Sequence, residues 1–169
     1  MASCKPTSTA IVTSKKEVEK SKKKSKTTKH NANKDDTSYF IKELISTAME
    51  YKGVRYRGGG TTRSGMDCSG LVNTAFKAHD ISLPRSSNDM SKVGKKIKLN
   101  DVKKGDLIFF KTSNRNVINH VGLVTDVKDD EIIFIHSSVQ RGVIVSSTKE
   151  AYYQRTFAQV NRVLGDEYF

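Results

Sequence analysis

The 169-residue sequence has only two cysteines, Cys4 and Cys68. They stand in very different contexts, so no disulfide framework is expected. There is no CxxC pair, so no structural zinc site is expected either. No apolar run approaches the roughly 18 residues of a membrane span. Acidic residues are scarce beside basic ones: 18 Asp and Glu face 30 Lys and Arg, a net charge of +12. Such a surplus attracts polyanions of any kind, whether nucleic acid, acidic lipid headgroups or anionic wall polymers. No nucleic-acid motif is present, and the aromatic residues follow core spacing rather than forming a stacking platform. Nucleic acid is therefore not an expected partner.

Half of the positive excess lies in residues 1–38, which carry 10 Lys against 4 acids and few apolar side chains. Lys15-Lys16, Lys20 and Lys22-Lys23-Lys24 repel one another and bury nothing, so this stretch reads as a disordered tether. Cys4 follows Met1-Ala2-Ser3, which has the local look of a lipoprotein cleavage site where the cysteine becomes the acylated N-terminus. The apolar segment that precedes such sites is not in the sequence. An incidental cysteine in a polar tail is the other reading. If Cys4 is lipidated, the Lys-rich stretch is the reach from a membrane to the target.

Residues 39–169 are long enough for one hydrophobic core. Tyr39, Phe40, Leu44, Ile45, Ala48 and Met49 make an apolar stripe at helical spacing, with Thr37 or Ser38 as cap and Gly53 as stop. A second helix is expected from Cys68, because Leu71, Val72, Ala75 and Phe76 recur at helical intervals. Ser86 or Ser87 opens a short helix that Gly94 stops. From Ile97 the pattern turns to strands: Asp106–Phe110, Val117–Val124, Ile132–His136, Val143–Val145 and, after a short helix at Glu150–Gln154, Ala158–Leu164. Helices followed by consecutive short strands predict an α+β fold, with the helices against an antiparallel sheet of about five to six strands.

The chemistry concentrates at Gly65-Met66-Asp67-Cys68-Ser69-Gly70. Asp67 suits the N-cap, where its carboxylate accepts from free N–H groups of the first turn. Cys68 then sits at the positive end of a helix, which favours thiolate and so suits nucleophilic catalysis. On the local pattern alone it could equally be a small buried hydrophobe. His120 and His136 stand in or at the end of apolar strands, where a polar ring needs a partner. His79 ends the cysteine helix and reads as a favourable charge there, and His30 lies in the tether. If the strands of His120 and His136 are neighbours and face the cysteine helix, a thiol, a base and an orienting residue come together. His120 is then the base and His136 the third member. The Cys68 N–H and the Tyr56 hydroxyl are candidate oxyanion donors. Such a triad needs no metal or other cofactor.

Five motifs, in order, resemble the NlpC/P60 cysteine peptidases: Tyr56-Arg57-Gly58-Gly59-Gly60 with Gly65-Met66-Asp67-Cys68-Ser69-Gly70-Leu71, then Leu83-Pro84-Arg85-Ser86-Ser87, Gly105–Phe110, His120-Val121-Gly122-Leu123 and Ile135-His136-Ser137-Ser138. The resemblance covers about residues 39–164 and is strongest to the single-domain lipoprotein endopeptidases of the Spr type. It implies a papain-like fold and hydrolysis of amide bonds in peptidoglycan stem peptides. It implies Cys68 as nucleophile, His120 as base, His136 as third residue and Tyr56 as oxyanion support, with Asp67 and Ser69 contacting the stem peptide. It gives Arg85 and Ser86 a place beside the cleft but no assigned role. Gly58 departs from the pattern, since relatives often carry an aromatic there. The expected setting is the bacterial cell envelope at its periplasmic face, with the protein a monomer. The alternatives are an amidase or acyltransferase using the same triad, or a wall-binding module using the same cleft.

Overall fold

The structure, a computed structural model, describes residues 34–165 and residue 168. Cys4, His30 and the tether expected over residues 1–38 lie, up to residue 33, outside the described residues. The first helix, α1, spans Lys34–Met49. It therefore begins before the expected caps, and Thr37 and Ser38 fall inside it. Gly53 ends this region with φ +88°, a left-handed angle that glycine adopts at little cost.

A hairpin of two-residue strands follows, β1 (Thr61–Thr62) and β2 (Gly65–Met66). It is too short for any alternation of side chains to announce it. Helix α2 (Cys68–Lys77) starts at the expected N-cap: the Asp67 side chain accepts from the Gly70 N–H at 2.6 Å. Its buried face, including Leu71, Val72, Ala75 and Phe76, packs on α1 and the large sheet. His79 joins the two helices, with Nε2 3.1 Å from Thr47 Oγ1 and its ring edge-on to Phe40. Helix α3 (Ser87–Met90) is capped by Ser86, whose Oγ accepts from the Asp89 N–H at 3.1 Å.

The remaining strands form one antiparallel sheet in the order β3-β8-β4-β5-β6-β7. They are β3 (Lys95–Ile97), β4 (Leu107–Phe110), β5 (His120–Lys128), β6 (Glu131–Ser138), β7 (Gly142–Ser147) and β8 (Phe157–Arg162), with α4 (Ala151–Thr156) before the last. Strand β5 starts three residues later than expected and runs four further. Val117 is half-exposed, while the Asn119 side chain turns aside to accept from the Thr112 N–H at 2.7 Å. Strand β8 inserts between β3 and β4. There Arg162 donates to both oxygens of the fully buried Asp106, at 2.8 and 2.9 Å. One face of the sheet packs Leu107, Phe109, Val121, Leu123 and Ile135 against α1 and α2; the other packs Ile108, Phe110, Val124 and Phe134 against Tyr153 of α4. Edge strand β3 exposes Lys95 and Lys96, side chains that discourage pairing with another sheet edge.

Candidate active site

The first turn of α2 is held by a dense set of polar contacts. Asp67 Oδ1 accepts from the Gly70 N–H, and Oδ2 accepts from the Gly59 N–H at 2.7 Å. Arg85 adds a two-pronged contact, at 3.0 Å to Oδ1 and 2.7 Å to Oδ2, and donates to Ser69 Oγ at 2.7 Å. Gly70 has no side chain for a physical reason: a Cβ there would lie 2.1 Å from the Gly60 carbonyl oxygen. The glycine loop is thereby pressed against the start of the helix. Burial by itself would raise the Asp67 carboxyl, but the Arg85 guanidinium and the two N–H groups outweigh it and hold it below the usual range.

Cys68 is 7% exposed. Its sulfur rests against the backbone on either side of His120. The thiol donates toward the Asn119 carbonyl at 4.0 Å, and the N–H of Val121 points to the sulfur. The charge state differs from the thiolate that the helix start suggested. Burial pushes the thiol up, and the Asp67 charge adds to this; the N–H groups of Val121, Ser69 and Cys68 pull down without reversing it. Tyr56, bridged to Met66 by backbone, is also pushed up, by burial and then by the charges of Cys68 and Asp67. It stays a neutral phenol, able to donate.

The two histidines are joined directly, His120 Nε2 to His136 Nδ1 at 2.9 Å. His120 Nε2 is thus engaged, which leaves Nδ1 as the ring nitrogen available to a proton from sulfur. His136 is fully buried, and its Nε2 lies 3.0 Å from Ser146 Oγ and 3.1 Å from the Tyr153 hydroxyl. Gly122 makes room for this ring: a Cβ there would sit 2.8 Å from Phe134 Cδ2 and 3.4 Å from His136 Cβ. Burial pushes His120 down to about 4; burial, then His120 and Arg141, push His136 down to about 3. Both rings are neutral at pH 7. A cavity of about 390 Å³ opens beside them, lined in part by Thr112, Arg141, Tyr152 and Tyr153.

The structure places Asp67, Cys68 and Ser69 at the start of α2 with Tyr56 bridged to Met66 beside them, seats the Cys68 sulfur against the backbone next to His120, and joins His120 to His136. It adds Arg85, Ser146 and Tyr153, for which the sequence suggested no role. The only available signal for Ser146 was strand register: His136 pairs with Ile144, so Ser146 follows two residues on, on the same sheet face.

A buried thiol at a helix start, set beside a hydrogen-bonded pair of strand histidines, defines a site of the papain-like class. The comparisons agree: the NlpC/P60 family profile matches residues 53–162, and the chain belongs to that family. It is 40% identical over 124 residues to a probable endopeptidase NlpC homolog of Haemophilus influenzae, a match covering 73% of this chain and 63% of that one. It is 34% identical over 122 residues to the murein DD-endopeptidase MepS/murein LD-carboxypeptidase of Escherichia coli (strain K12), covering 72% and 62%. The chain thus spans somewhat under two thirds of the length of these relatives. Among solved structures, a NlpC/P60 family protein from Bacillus cereus superposes with a TM-score of 0.66 at 31% identity, over 74% of this chain and 40% of that one.

Proposed function

We infer that the protein is a cell-wall cysteine endopeptidase that hydrolyses amide bonds in peptidoglycan stem peptides. One observation carries this reading: the Cys68 sulfur is seated against the backbone that bears His120, whose far nitrogen is held by His136. The names of the Haemophilus and Escherichia relatives support the substrate class.

In this mechanism the neutral thiol gives its proton to His120 Nδ1 as the sulfur attacks the substrate carbonyl. The oxyanion that forms is held by the Cys68 N–H and the Tyr56 hydroxyl. The intermediate collapses to a thioester as the imidazolium of His120 protonates the departing amine. Water, with His120 again as base, then releases the acid and restores the thiol. His136 receives the Nε2–H of His120 and fixes the ring plane. Because burial holds the thiol up and the imidazole down, proton transfer belongs to the attack step rather than to a standing ion pair. Asp67 and Ser69, with Arg85 clamped to both, form the side of the cleft that meets the stem peptide. At Gly58 a side chain would meet nothing within 4 Å, so the glycine leaves open space there. The setting is the cell envelope, with Cys4 as the proposed point of attachment through lipid.

The test is digestion of purified peptidoglycan with mass analysis of released muropeptides. Cys68→Ala is expected to release none. A variant that yields the same fragments as the parent overturns the assignment of the nucleophile.

A further inference from the structure

A carboxylate in the third place of a triad can only accept, so it dictates which nitrogen of the base carries the proton. Here the third place is filled by a histidine, which can accept or donate at either nitrogen. The choice of tautomer therefore passes outward, to whatever touches His136 Nε2. Two hydroxyl groups do, Ser146 Oγ at 3.0 Å and Tyr153 OH at 3.1 Å. Ser146 is 4% exposed, Tyr153 5% and His136 0%.

We propose that Ser146 and Tyr153 are positioning residues that hold His136 with its proton on Nε2, and so keep His120 Nδ1 bare for the thiol proton. This rests on the thiol-hydrolase reading above and extends it two side chains outward. When His120 takes the proton from Cys68 it bears N–H on both nitrogens. His136 Nδ1 must then accept, and the His136 proton must lie on Nε2. The two hydroxyl oxygens receive it there. Without them that N–H would lose both of the acceptors that meet it in this buried position. A buried N–H with no acceptor is costly. The pair would reverse, with His136 Nδ1 donating to His120 Nε2, and the proton of neutral His120 would move to Nδ1, where it blocks the base. Tyr153 lines the cavity beside the histidines, so its own O–H is not forced onto His136 Nε2.

Imidazole ¹⁵N spectra of the full chain at pH 7 read the tautomers directly, since both rings are neutral there. Both His120 and His136 are expected to be protonated on Nε2. A His136 protonated on Nδ1 overturns the proposal, and this readout needs no substrate. In kinetics on peptidoglycan fragments, Ser146→Ala and Tyr153→Phe are each expected to lower kcat about 2- to 10-fold with KM unchanged, the loss of one hydrogen bond. The double variant should fall about 100-fold or more, toward the roughly 10⁴-fold loss of a triad histidine held in the wrong tautomer. Ser146→Thr, which keeps the hydroxyl, should stay within about 2-fold of the parent. A folded double variant with the parent's kcat overturns the proposal; if it does not fold, the single variants and the spectrum of the parent decide. Cys68→Ala that still hydrolyses would instead remove the function reading and leave the tautomer measurement standing.

Discussion

Replacing Asp67 with alanine removes an acceptor on which three parts of the site converge. The Gly70 N–H of α2 loses its cap, a loss of about 1 kcal/mol. The Gly59 N–H loses its acceptor, about 1 kcal/mol more at an exposed position that water can partly satisfy. The Arg85 pair is discounted to at most about 1 kcal/mol, because the Arg85 side chain is 46% exposed. The sum is about 2–3 kcal/mol. At about 3–5 °C per kcal/mol for a domain of this size, Tm should fall by roughly 10 °C. Asp67→Asn keeps one oxygen for the Gly70 cap but loses the charge and puts an NH2, which cannot accept, where the second oxygen met the Gly59 N–H and Arg85, so it should cost about 1–2 kcal/mol. The two variants also respond differently to acid. The folded protein holds the Asp67 carboxyl below its ordinary value of 3.8. Its charge therefore stabilises fully above that value, and the contribution is lost as pH falls through the folded pKa. Denaturation curves at pH 7 and in steps below pH 4 measure this. The gap between parent and Asp67→Asn should close on acidification. An Asp67→Ala protein within about 0.5 kcal/mol of the parent at pH 7 would refute the reasoning, as would an acid-independent Asp67→Asn gap.

Iodoacetamide should modify Cys68 at pH 7 more slowly than an unhindered model thiol and accelerate steadily as pH rises, because burial holds the thiol protonated; a rate that has already levelled off at pH 7 would contradict this. With His120 depressed to about 4, kcat/KM should keep its acid limb near that pH rather than near 6.5, as a pH–rate profile on a soluble stem peptide will show. The same depression makes both histidines a liability in acid: the unfolded chain binds protons that the buried rings refuse, so stability should decline as pH falls from about 6.5 toward 4, and a flat profile there would be inconsistent with neutral burial. Gly122→Ala should cost about 1–3 kcal/mol and reduce activity further by displacing His136, with denaturant midpoints and kcat as the measures.

What could be read from the sequence was largely what is local. The Asp67 and Ser86 caps depend on groups within three residues, so residue type and position were enough. His120 and His136 stood out because a polar ring inside an apolar strand asks for a partner, and adjacency of β5 and β6 supplies it. Arg85 reaches Asp67 across 18 residues of chain, and nothing in its own neighbourhood indicates that path. Ser146 and Tyr153 meet His136 only through the register of β7 and the docking of α4, which alternation of side chains does not set. The direction in which the thiol is pushed was out of reach for a similar reason. The favourable N–H groups at a helix start are visible in sequence, whereas the depth of burial that opposes them is a property of the assembled core.

The placement of β8 bears on when the fold is completed. It lies between β3 and β4, yet it is made after every other strand among the described residues. A nascent chain on the ribosome that ends before Tyr153 also has no phenol to set against His136. Synthesis runs from the N-terminus, so the cysteine helix emerges before the gap in the sheet and the outer end of the histidine chain are filled by α4 and β8. The order of manufacture thus delays assembly of the candidate site until α4 and β8 have left the exit tunnel.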